Sequence, residues 1–162
     1  MPPQAEASRI PKLAAAAELR VLDQSGMPHR LADYSGRPVV VYFYPRDETP
    51  GCTVEGKEFR DLYDQFVALD CAVIGVSTDS VESHRAFAAK HALPFTLLAD
   101  SSGELAQAFG VLHGKMADRT TFVLGGDGRV IRAFNDVAPR GHAQQVLGFV
   151  RAFLESHRMI GG

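Results

Sequence analysis

The chain has 162 residues, 46% hydrophobic and 22% charged, with a formal net charge of −2 and a pI near 6.3. That length and composition suit one globular domain spanning 1–162 with a core of its own. The charge balance argues against a nucleic-acid footprint or a polybasic membrane patch, and no apolar run approaches the ~20 residues of a membrane-spanning helix.

Residues 1–17 are expected to form a loosely ordered arm. Leu13 to Ala17 is apolar, but Glu18 and Arg20 interrupt it too early for the apolar region of a signal peptide, so a cytoplasmic setting is the default expectation. Alternation around Asp23-Gln24-Ser25-Gly26 predicts two short strands and a turn. Val39 to Tyr44 is a continuous β-branched and aromatic run, the pattern of a central strand buried on both faces. Thr53 to Phe66 places Phe59, Leu62, Tyr63 and Phe66 at spacings of three and four, an amphipathic helix. Ala72 to Val76 is a second buried strand. Ser80 can cap a helix over 81–91, and Leu93-Pro94 ends it. Phe95 to Leu98 is a short extended piece, and 103–109 a short helix. Two strands, 120–124 and 129–134, flank Gly125-Gly126-Asp127-Gly128 as a hairpin. A last helix over 143–157 carries Val146, Leu147, Val150 and Leu154 on one side. The order predicts an α/β fold with a central mixed β-sheet flanked by helices.

The chain has only two cysteines, Cys52 and Cys71. They cannot build a disulfide framework or close a zinc site alone, so each is either packing or chemistry. In Thr49-Pro50-Gly51-Cys52, Thr49 is a good helix N-cap and Pro50 fits the first helical position. Cys52 then sits in the first turn, where backbone N–H groups lack partners and the helix dipole favours a thiolate over a thiol. Gly51 leaves room for close approach to the backbone. The turn follows the carboxyl end of a buried strand, where open α/β sheets bind ligands.

Pro45, Thr49 and Cys52 form the pattern Pro-x3-Thr-x2-Cys. With Tyr42-Phe43-Tyr44-Pro45, Thr49-Pro50-Gly51-Cys52-Thr53, Val73 to Ser80, Leu93-Pro94-Phe95, Leu97 to Asp100 and Arg119 to Val123, the chain resembles the peroxiredoxin family, on its bacterioferritin-comigratory or Q-type branch. The resemblance implies a thioredoxin-like fold and a thiol-dependent peroxidase that reduces hydrogen peroxide or organic hydroperoxides in antioxidant defence, with no metal or organic cofactor. It implies that Cys52 is the peroxidatic cysteine, that Thr49 orients the peroxide, that Pro45 shields the thiolate from water, and that Arg119 reaches the site from a distant strand. Reductants consistent with it are thioredoxin, glutaredoxin or a small thiol, and a monomer is expected over a dimer.

The chain departs from the family where a second, resolving cysteine is expected. Lys57 stands at one such position and Ala88 at the other. Cys71 is the one remaining candidate, although a cysteine entering a buried strand mainly packs. A one-cysteine cycle is therefore the leading expectation. A Cys52–Cys71 disulfide is the alternative and needs local unwinding of the helix that starts near Cys52, because a bridge needs Cα atoms within about 7 Å. Glu55 is expected either to pair with an arginine or to be solvated. Arg46 and Asp47 are given no chemistry, and His84, His91, His113, His142 and His157 are read as surface residues. A Cys-x-x-Cys oxidoreductase is disfavoured because Glu55 occupies the second position. A non-catalytic binding or chaperone-like module on the same scaffold is the competing function, and it has no use for the set Pro45, Thr49, Cys52 and Arg119.

Overall fold

The computed structural model describes residues 13–135 and 137–161. The arm expected over 1–17 is corrected at its inner end. Residues 1–12 lie outside those described, but α1 (Leu13–Ala16) is a helical turn whose Ala16 is buried in the core.

A hairpin of β1 (Val21–Asp23) and β2 (Pro28–His29) leads through a 3₁₀ turn (Leu31–Tyr34) to β3 (Val39–Phe43). Then follow α2 (Pro50–Ala68), β4 (Ala72–Ser77), α3 (Val81–His91), β5 (Thr96–Ala99) and α4 (Glu104–Ala108). Two short strands, β6 (Leu112–His113) and β7 (Met116–Ala117), precede the hairpin β8 (Thr120–Leu124) and β9 (Val130–Phe134), and α5 (His142–Gly161) ends the fold. The seven-stranded sheet runs β2-β1-β5-β4-β3-β8-β9. The pairs β3–β4 and β4–β5 are parallel and its other pairs antiparallel, which gives the expected mixed, thioredoxin-like sheet.

All five residues of β3 are buried because side chains alternate across a sheet covered on both sides. Val39, Val41 and Phe43 join the core under α1 and α4, while Val40, Tyr42 and Tyr44 join the core under α2, α3 and α5. Gly75 on β4 makes room for Tyr42, since a Cβ there would lie 2.8 Å from the tyrosine ring. The freed ring stacks on Phe59 of α2 at 4.6 Å, fixing the helix against the strand that feeds it.

The loop between β3 and α2 is tied to α3. Asp47 accepts hydrogen bonds from Tyr44 Oη (2.6 Å) and Ser83 Oγ (2.9 Å), and its Oδ2 lies 2.6 Å from His84 Nδ1. His84 Nε2 faces the Leu98 carbonyl at 2.9 Å, which only accepts, so that nitrogen carries a hydrogen and one further proton is held between His84 Nδ1 and Asp47. His84 is fully buried, a correction to its reading as a surface residue. Asp47, Asp79 and His84 bring ligand-type atoms within 4.8 Å of one another. Those atoms are already engaged: Asp79 Oδ2 accepts from the Asp47 N–H and from Ser77 Oγ. The cluster is a hydrogen-bonded tie. Beside it Glu48 holds a left-handed φ of 64°, costly for a residue with a Cβ, and its carboxylate bridges Lys90 and His91 at 2.8 and 2.9 Å.

Removing one partner of the buried pair strands the other. Asp47→Ala should cost about 3–5 kcal/mol in urea unfolding, whereas Glu48→Ala at the exposed pair should cost about 1 kcal/mol or less. Equal losses from the two variants would reject the buried tie as the stronger constraint.

Candidate active site

Thr49 is the N-cap of α2 and Pro50 its first helical residue, as the sequence predicts. The capping chemistry differs from expectation. Thr49 Oγ1 does not accept a helix N–H; it donates to the Arg46 carbonyl at 2.9 Å. Its hydrogen is thereby committed, and its lone pairs stay available to accept a hydrogen bond. Thr49 O receives the Thr53 N–H, so the N–H groups of Gly51 and Cys52 have no partner within the helix.

Cys52 is 2% exposed, with its sulfur packed against the apolar core under α2. Arg119, just before β8, meets it across the sheet: Nη2 points at Cys52 Sγ at 3.3 Å, and Nη1 donates to Glu55 Oε1 at 2.8 Å. One planar guanidinium thus joins two residues three apart on α2, the geometry in which arginine exceeds lysine. Gly51 serves this contact. A Cβ there would sit 2.9 Å from Arg119 Nη2, so the space left by the missing side chain holds the arginine. Pro45 is half-buried at the start of the same loop.

Glu55 is completely buried. Burial raises its pKa to about 7, against the opposing pull of the Arg119 charge and hydrogen bond. Burial lowers the Arg119 pKa, but the charges of Cys52 and Glu55 more than offset that and leave it raised. Among the described residues, Glu55 Oε2 and Tyr42 Oη are buried side-chain atoms without a hydrogen-bond partner. An acid that keeps its proton near neutral pH lessens the cost of burying that oxygen. Tyr42, its pKa raised well above the usual value by burial and then by the Glu55 and Cys52 charges, stays a phenol.

The structure therefore brings together Thr49, Cys52 and Arg119, with Pro45 on the approach loop, and adds Glu55. His142, expected at the surface, is buried at the start of α5, with Nε2 2.7 Å from Thr121 Oγ1 and its ring edge-on to Phe59. Burial pushes its pKa down to about 4, so it is neutral at physiological pH. Cys71 does not join the site. It is buried beyond the far end of α2, and Cys52 to Ala68 alone spans roughly 24 Å of helix. Burial raises its thiol pKa to about 12. The expected route to a Cys52–Cys71 bridge by local unwinding is corrected: nearly the whole helix separates the two sulfurs.

The AhpC/TSA family model matches residues 10–133. A chloroplastic peroxiredoxin Q of Sedum lineare is 44% identical over 134 residues, covering 80% of this chain and 72% of the relative. Peroxiredoxin Bcp of Bacillus subtilis is 41% identical over 140 residues, covering 82% and 89%. Among solved structures, the bacterioferritin comigratory protein of Xanthomonas campestris superposes with a TM-score of 0.82 at 37% identity, covering 86% of this chain and 94% of that one. A PrxQ variant of Xylella fastidiosa gives 0.84 at 36% identity, covering 86% and 92%. A buried cysteine at a helix start under an arginine fork, on a sheet of this order, agrees with those matches: the chain belongs to the AhpC/TSA family, on its peroxiredoxin Q/Bcp branch.

Proposed function

We infer that the protein is a thiol-dependent peroxidase that reduces hydroperoxides through Cys52. The observation that carries this reading is the Arg119 Nη2 to Cys52 Sγ contact of 3.3 Å. A fixed cation beside a cysteine at a helix N-terminus stabilises the thiolate, which is the nucleophile. The thiolate attacks the nearer peroxide oxygen. The O–O bond breaks, an S–O bond forms, and the other oxygen leaves as water or alcohol after taking up a proton.

In this reading Arg119 and the free N–H of Cys52 face the charge that moves from sulfur toward the leaving oxygen. Thr49 accepts a hydrogen bond from the peroxide, since its own hydrogen is held by the Arg46 carbonyl. Pro45 limits water at the sulfur. Glu55 positions Arg119 and shares its charge with Cys52.

Regeneration needs an outside thiol. Lys57 is exposed on α2, and Ala88 packs on α3 against the core. A Xanthomonas campestris peroxiredoxin Q has been solved with serine at either of two cysteines, whose spacing equals that between Cys52 and Ala88. The second of that pair has no counterpart here, which supports a one-cysteine cycle. The overall reaction is one hydroperoxide plus two thiols giving water, an alcohol or a second water, and one disulfide. Thioredoxin, glutaredoxin or a small thiol can fill the reductant's part. A monomer in the cytoplasm completes the reading. The two free thiols suit a reducing compartment, and no described helix is long and apolar enough to cross a membrane.

Cys52→Ser should abolish peroxide consumption with dithiothreitol while the fold is kept; turnover at the wild-type rate would reject the reading. Arg119→Ala should slow the peroxide step roughly a hundredfold in stopped flow. Mass spectrometry after one equivalent of peroxide should find Cys52 oxidised alone, and a mapped Cys52–Cys71 link would overturn the one-cysteine cycle.

Glu55 also makes a pH prediction. Its folded pKa is raised from 4.5 to about 7, so the protonated form supports the fold, fully below pH 4.5, and that support is lost as pH rises through about 7. Glu55→Gln keeps an acceptor for Arg119 and removes the titration. Relative to that variant, the wild type should lose up to about 3 kcal/mol between pH 4.5 and 8 in urea unfolding. Parallel stability curves would reject the shift.

A further inference from the structure

The carboxyl ends of the three parallel strands hold a second feature that the peroxide step leaves unused. A cleft of about 470 Å³ opens there, within the size range of small-molecule sites. Its walls come from Arg46 after β3, Thr78 and Asp79 after β4, Ser101 and Ser102 after β5, and Lys115 in the β6–β7 turn. This is the end of an open α/β sheet where ligands bind. Thr78 Oγ1 donates to the Lys115 carbonyl at 2.7 Å and fixes the β6–β7 turn over the strand ends.

The lining carries two cations and three hydroxyl groups, with the Asp79 carboxylate and the apolar Leu112 and Met116 completing it. Arg46 and Lys115 are exposed, and among the described residues neither pairs with a carboxylate. Asp79 is the one acid on the wall; its Oδ2 is engaged by the Asp47 N–H at 2.8 Å and by Ser77 Oγ, and the two cations outnumber it. The Thr78 and Ser101 hydroxyls donate to the Lys115 and Asp79 carbonyls, so the donors left to a carboxylate are the two unpaired cations and the Ser102 hydroxyl.

The cleft is lined by segments that lead to the reactive centre. The Arg46 carbonyl receives the Thr49 hydroxyl at 2.9 Å. Lys115 lies four residues before Arg119, whose guanidinium reaches Cys52 at 3.3 Å. The two cations of the cleft thus stand on the two chain segments that lead to Thr49 and to Arg119.

We propose that this cleft binds the carboxylates of a small anionic thiol, and that this thiol is the reductant of oxidised Cys52. The proposal rests on the one-cysteine peroxidase reading and names its missing partner by chemistry. The bound thiolate attacks the sulfur of the Cys52 sulfenic acid, forming an S–S bond while the S–O bond breaks and hydroxide leaves, protonated to water. A second thiol attacks the mixed disulfide at the sulfur of the first, releasing the Cys52 thiolate and a small disulfide. Two electrons come from the two thiols, which balances the two taken by the peroxide.

The test oxidises Cys52 with one equivalent of hydrogen peroxide and follows recovery of the thiolate with mercaptosuccinate, a dianionic thiol, or 2-mercaptoethanol, a neutral one. Taking the ratio of the two rates within each variant cancels general damage to the fold. Lys115→Glu should lower the mercaptosuccinate to mercaptoethanol ratio by roughly fivefold or more, the scale of an exposed ion pair or two, and Lys115→Arg should keep it. Arg46→Gln should lower it in the same direction. Raising salt from about 20 mM to about 0.5 M should depress the mercaptosuccinate rate alone, because the cations are exposed and screened. An unchanged ratio in both Lys115→Glu and Arg46→Gln would overturn the proposal and leave the peroxidase reading standing. A wild-type Cys52 that peroxide fails to oxidise would overturn that reading and the proposal with it.

Discussion

The site depends on one guanidinium shared between two acids on the same helix. Arg119 sits 3.3 Å from the Cys52 sulfur and 2.8 Å from Glu55. A thiolate that is 2% exposed would be a costly buried charge without that cation. The cation itself is only partly buried, and the charges of Cys52 and Glu55 hold its pKa raised. Glu55 is the adjustable member of the set, because burial holds its pKa near 7 rather than at the usual carboxylate value. With Glu55 neutral, the Arg119 charge serves mainly the sulfur; with Glu55 ionised, it is divided. Gly51 is part of this constraint, since a Cβ there would lie 2.9 Å from Arg119 Nη2 and require that nitrogen to shift.

The loop that delivers Cys52 is held by contacts made elsewhere. Asp47 fixes its centre against α3 through His84 and Ser83 and against the end of β4 through Asp79. Glu48 follows in a left-handed conformation that an ordinary residue keeps only under constraint, and Lys90 and His91 supply part of it. Thr49 can then turn its hydroxyl hydrogen to the Arg46 carbonyl and keep its lone pairs outward. The reactive helix start is therefore organised by a neighbouring helix as much as by its own capping residues.

Local features of the site were legible in the sequence, and remote ones were not. Thr49, Pro50 and Cys52 announce a helix start with a cysteine in its first turn because residue preferences at helix starts are short-range, even though the Thr49 hydroxyl turns to the Arg46 carbonyl instead of capping. Arg119 is 67 residues from Cys52, and only the resemblance to a family marked it out among the arginines. His84 was misplaced because a lone histidine in a helix carries no partner in its own sequence. A signal was present: His84 lies three residues before Phe87 and seven before His91, on the stripe that faces the core. His142 was misplaced for a related reason, since its partner Thr121 lies on a strand and its burial comes from Phe59 and Phe134 on other elements. β6 and β7 have two residues each, too few to show a period. They nonetheless carry Lys115 to the sheet end.

The missing resolving cysteine and the firmness of α3 belong to one explanation. A thiol delivered from α3 would have to leave that helix's packing, and α3 is pinned by the buried Asp47–His84 pair near its start and by the Glu48 bridge at its end. Breaking the buried pair alone costs about 3–5 kcal/mol, the scale of a large part of a domain's stability. With Ala88 on that helix, no step of the proposed one-cysteine cycle calls for that cost. Cys71 is no substitute, since its burial and high pKa keep it a thiol and α2 stands between it and the site. The proposed cycle thus leaves both halves of the reaction to a site that stays folded, with the peroxide and the reducing thiol each reaching Cys52 from outside the protein.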